Sequence, residues 1–110
     1  MAHDEELAGR IRTLLDDRPG LSEQKMFGGL AFLVGGNMAV AASGQGGILV
    51  RVDPEESDDL VRLGPAYPME MRGRRMTGWL RVDAVDIDDD ARLAEWVERG
   101  TAYAGSLPPK

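Results

Sequence analysis

Cysteine is absent from this chain. Disulfides, thiol nucleophiles and zinc–thiolate sites are thereby excluded. Histidine is nearly absent as well: His3 stands alone near the N-terminus, with no second imidazole to work beside it. Ser43, Ser57 and Thr77 have neither a histidine nor a nearby lysine as base, so nucleophilic catalysis finds no support. Long apolar runs are missing too. The longest, such as residues 30–34, reach five residues, against the roughly 20 that a membrane-crossing helix needs. The first residues, with His3, Asp4, Glu5 and Glu6, lack the basic and apolar regions of a signal peptide, so the expected compartment is the cytoplasm. Basic charge is in deficit: 13 Lys and Arg face 19 Asp and Glu, giving a net charge of −6 and a pI near 4.7. A domain that grips duplex DNA usually has the opposite balance, because phosphate neutralisation supplies most of its affinity.

What remains is the composition of an ordinary globular protein, 43% apolar and 29% charged. Its 110 residues are expected to form one domain, 1–110. The acidity is uneven. Asp16-Asp17, residues 53–59 and residues 83–90 hold much of it, whereas Arg72-Gly73-Arg74-Arg75 is locally basic. The acidic run Asp83, Asp86, Asp88, Asp89, Asp90 lacks the glycine and distal glutamate of a calcium loop, and reads as a helix cap and a solvated loop. No metal and no cofactor is expected.

The periodicity predicts a first helix over residues 4–17, with Leu7, Ile11, Leu14 and Leu15 on one stripe and Pro19-Gly20 ending it. Residues 22–27 read as a short strand, with Gly28-Gly29 as a bend. Residues 30–34 are apolar at every position, which predicts a strand covered on both faces. Gly35-Gly36-Asn37 is a hairpin turn, followed by strands over 38–43 and 48–52. Asp53, Pro54 and Glu56 make a capping box for a second helix ending near Gly64-Pro65. Strands over 67–71 and 77–82 flank the arginine turn. A last helix starts near residues 88–90 and buries Leu93, Trp96, Val97, Gly100 and Ala104. The fold class is α+β: two layers, with helices on one face of a mostly antiparallel, five-stranded sheet.

The densest stretch of backbone instruction is Lys25-Met26-Phe27-Gly28-Gly29. With Met26-Phe27-Gly28-Gly29 opening the sheet, the chain resembles the N-terminal domain of the TfoX/Sxy family. Gly36-Asn37-Met38, the strand Leu49-Val50-Arg51-Val52-Asp53, Gly78-Trp79-Leu80 and Trp96-Val97 follow in the family's order, so the resemblance runs from about Leu7 to Leu107. It implies an α-β(3)-α-β(2)-α fold like that of secretion chaperones, which often dimerise. The family takes its name from bacterial regulators of natural competence that carry a second, helical domain. This sequence reads as the N-terminal domain standing alone. The resemblance supplies no catalytic residues.

Two groups of residues are candidate sites. Alternation puts Trp79 and Arg81 on one strand face and Leu49 and Arg51 on another. If helices cover Ile48, Val50, Leu80 and Val82, then Leu33, Leu49, Arg51, Trp79 and Arg81 share an open, apolar face. Such a face suits a protein partner or a homodimer, with the arginines setting register by charge pairing; coverage by the chain's own loops is the alternative. The second group, Lys25, Gly28, Gly29, Arg72, Arg74 and Arg75, is a candidate anion or nucleic-acid site, set against the plainer reading of a bend and a solvated turn. The expected function is a non-enzymatic regulatory or protein-interaction module. Nucleic-acid or anionic-ligand binding through the Arg72–Arg75 hairpin is the alternative. An enzyme using Gly28-Gly29 and the arginines ranks last, because no general base is visible.

Overall fold

The computed structural model describes residues 5–16, 18–26, 29–43, 46–71 and 73–109. Helix α1 (Glu5–Leu14) is shorter than the expected 4–17; it buries Leu7, Ala8 and Ile11, Leu15 is buried just beyond it, and Leu14 of the expected stripe is exposed. Four strands follow: β1 (Leu21–Met26), β2 (Gly29–Val34), β3 (Asn37–Ala42) and β4 (Ile48–Arg51). Helix α2 (Pro54–Leu63) begins where Asp53 accepts a hydrogen bond from the backbone N–H of Glu55 at 2.9 Å. Strands β5 (Tyr67–Met71) and β6 (Arg74–Val82) come next, then a 3-10 turn (Ala84–Ile87) and helix α3 (Asp90–Ser106). The acidic run does act as a cap: the carboxylate of Asp89 accepts from the N–H of Ala91 at 2.7 Å.

All strand pairs are antiparallel, and the order across the sheet is β1-β2-β3-β4-β6-β5. The sheet thus has six strands rather than five. The short strand read over 22–27, left out of the five-stranded count, is a full member of the sheet as β1, paired along its length with β2, and Gly29 belongs to β2 and not to a bend. Two other boundaries move. The 3-10 turn before α3 is absent from the sequence reading, because its one buried apolar residue, Ile87, is too little for a pattern. β6 starts at Arg74, so Arg74 and Arg75 belong to a strand and not to a turn.

The helices all serve one face. Side chains of α1 and α3, with Leu60 and Val61 of α2, form one cluster with Phe32, Val40, Ile48, Val50, Leu80 and Val82. Helix α3 crosses β2, β3 and β4, whereas α2 lies on β6 and β5. Helix α3 comes close to β3 at Gly100, where an added Cβ would lie 2.5 Å from the carbonyl oxygen of Ala39. Arg10 ties α1 to the start of α3. Its guanidinium donates to Asp90 at 2.9 Å and to the carbonyl of Ile87 at 2.8 Å. At the other end, Asn37 donates to the carbonyl of Pro108 at 3.0 Å and holds the chain after α3 against the β2–β3 turn.

Candidate functional site

The opposite face of the sheet carries a second apolar cluster: Ala31, Leu33, Met38, Ala41 and Leu49, with Met69 and Trp79 packed against it. No residue of a described helix joins it. The register explains the grouping. Ala41 lies opposite Leu49, Leu49 opposite Arg81, and Arg51 opposite Trp79, so these side chains emerge on one side. The sequence-derived set Leu33, Leu49, Arg51, Trp79 and Arg81 is therefore brought onto one face. That face is less bare than the alternation suggests. Leu33 and Leu49 are only 8% and 5% exposed, and the half-buried residues are Trp79, Met69, Arg51 and Arg81.

The arginines are held within their own chain. The Arg51 guanidinium carbon lies 5.2 Å from the ring centroid of Trp79 and 5.6 Å from that of Tyr103 on α3. This arrangement places a cation between a sheet aromatic and a helix aromatic. Arg81 donates to the hydroxyl of Ser43 at 3.3 Å and to the carbonyl of Gly46 at 3.4 Å. Opposite it on β5, the Tyr67 hydroxyl donates to Asp83 at 2.7 Å, and that bond to the carboxylate holds the phenol above its ordinary pKa. A hollow of about 420 Å³ lies beside them, lined by Tyr67, Pro68, Glu70, Arg81 and Asp83. Tyr103 and Met69 are not singled out by the sequence as site residues. Tyr103 reaches Arg51 only through tertiary packing, and a register shift between Pro68 and Glu70 hides Met69 from a period-2 reading.

The sequence matches the family described as TfoX N-terminal domain over residues 13–104. The chain belongs to this family. No curated protein matches the chain. Family membership accounts for the motif order, and Gly78-Trp79-Leu80 falls at a structurally demanding point. Gly78 adopts φ +87°, and an added Cβ would meet Pro54 and the Val52 carbonyl at 3.2 Å. This close approach sets Trp79 opposite Arg51 just before β4 yields to α2.

Of the expected anion group, Lys25 and Gly29 are placed far from Arg74. Lys25 aligns through Leu30, Ala42 and Ile48 with Val82, at the far end of β6 from Arg74, and lies four strands away. Gly29 opens β2 opposite Met26, while Arg74 pairs with Met71 beside the other edge. Gly28 and Arg72 lie outside the described residues, as do the side chain of Arg75, His3 and Phe27. Among the described residues, no group of three or more His, Cys, Asp or Glu could hold a metal, and no helix is long and apolar enough to cross a membrane. On the helical side a hollow of about 490 Å³ includes Leu60, Leu63, Trp96 and Arg99, with Asp86 and Glu95 beside Arg92.

Proposed function

We propose that this TfoX N-terminal domain protein is a non-enzymatic, cytoplasmic interaction module that regulates a protein partner by binding it on the sheet face opposite the helices. One observation carries the reading: a single sheet has an apolar cluster on each face, and the helices contribute to only one of them. The contact would centre on Trp79 and Met69, with Arg51 beside them. Trp and Arg dominate binding energies when they sit over a well-packed base, and Leu33 and Leu49 supply such a base. Arg51, over the Trp79 ring, is the cation at the centre of this face, whereas Arg81 has Glu70 and Asp83 beside it. The partner segment is therefore one that combines apolar with acidic side chains. The family's association with competence regulators suits regulation by contact.

The test is capture of interacting proteins from the source cells by the wild type and by Trp79→Ala, with the fold of each checked by circular dichroism. The expected result is a partner retained by the wild type and lost from Trp79→Ala. An identical set of captured proteins on both would overturn the reading.

A further inference from the structure

The two edges of the sheet are built differently. Strand β5 is blunted: Pro68 has no N–H to donate, and the register shifts between Pro68 and Glu70. Strand β1 has neither device. All six residues pair with β2 without a shift, from Leu21 opposite Val34 to Met26 opposite Gly29. It contains no proline and no glycine, and Ser22 through Lys25 are all exposed. Among the described residues its only strand neighbour is β2. The outer edge of β1 thus offers a row of backbone donors and acceptors.

The charges on this edge decide what can add to it. Glu23 and Lys25 lie opposite Phe32 and Leu30, so both emerge on the helical side. They repel or strand most incoming segments. A second copy of β1 is different. Two identical strands pair antiparallel about a two-fold axis normal to the sheet, which keeps each face on its own side. Opposed residues must then share a face, so the axis passes through a residue. Centred on Glu23 or on Lys25, the pairing sets like charges against each other. Centred on Gln24, it sets each Glu23 against Lys25 of the second copy, twice, at cross-strand distance. The two neutral Gln24 amides meet on the other face. Glu23 is also held in place within its own chain, where Arg12 donates to its two carboxylate oxygens at 2.7 and 2.9 Å, and each oxygen has a further lone pair to accept with.

We propose that β1 is a homodimerisation edge, joining two copies through antiparallel β1 strands centred on Gln24. The joined sheet has twelve strands, with both helical layers on one side. The face around Trp79 becomes a continuous surface on the other. This goes beyond the partner-binding reading and does not depend on it.

Light scattering tests it on the wild type, Lys25→Glu, Glu23→Lys, an equimolar mixture of these two variants, and Trp79→Ala. One strand pair is smaller than the roughly 1,200 Å² of a standard interface, so concentrations from about 10 µM to about 1 mM are needed. The wild type is expected to approach twice its 12.0 kDa. Each charge variant is expected to dimerise about tenfold more weakly. The mixture is expected to recover, because the mixed pair again sets a carboxylate of one copy against an ammonium of the other at both opposed positions. Lys25 holds no ion pair among the described residues, so Lys25→Glu leaves the fold intact even if Glu23→Lys does not. A wild type monomeric throughout, or a dimer unaffected by Lys25→Glu, overturns the proposal. A dimer lost in Trp79→Ala but kept in Lys25→Glu overturns it as well, and assigns the second copy to the open face.

Discussion

Glu23 shows how one surface residue serves both fold and edge. Its carboxyl is held below the ordinary value of 4.5, first by the hydrogen bond from Arg12. A carboxylate with a lowered folded pKa stabilises the folded state fully above its unfolded pKa, and that stability is lost as pH falls through the folded value. Glu23→Gln is therefore expected to unfold at a slightly lower temperature than the wild type at pH 7, and the gap to close as pH drops below 4.5. A gap that stays constant down to about pH 2 would show that the pair contributes nothing through charge. The effect is small, because both side chains are exposed and salt screens them. Single residues are legible in the sequence wherever one geometric rule decides them. Alternation places Trp79 on one face of its strand and Leu49 and Arg51 on one face of theirs, and the β4–β6 register makes the two faces one. Alternation does not place Tyr103, because no local pattern links a residue of α3 to a distant strand end.

At the scale of elements, α3 is the helix most dependent on backbone fit. Helix propensity alone makes Gly100→Ala stabilising by about 1 kcal/mol. The close approach reverses the sign, since the new Cβ would sit 2.5 Å from the Ala39 carbonyl oxygen and 3.1 Å from its carbon, neither of which is a yielding side-chain tip. The variant is expected to lose about 1–3 kcal/mol, read as a lower thermal midpoint. A raised midpoint would mean that α3 does not dock at this distance. The long apolar stripes of α1 and α3 and the capping box of α2 are visible in the sequence because helices announce themselves by period and by caps. The full membership of β1 in the sheet is less visible, and the five-stranded count leaves it out. β1 is an edge strand with exposed polar residues at Ser22, Glu23, Gln24 and Lys25, so it carries little hydrophobic signal of its own. The 3-10 turn escapes the pattern because four residues are too few to show a period.

At the scale of the whole molecule, the distribution of apolar clusters matters more than any single contact. Three helices roof one face of the sheet, and the other face keeps a compact apolar base beneath Trp79, Met69 and Arg51. Sequence patterning identifies the two faces but not how far neighbouring side chains shield Leu33 and Leu49, which depends on packing across several strands. It also groups Lys25 with the arginine hairpin by charge type, and only the strand order places them far apart. The most direct measurement is photo-crosslinking in the source cells from a benzophenone side chain placed at Met69 on the open face, or at exposed Arg62 on α2. One dominant protein adduct is expected from position 69 and none from position 62. Adducts from position 62 alone would move the partner surface to the helical side and overturn the assignment of the open face.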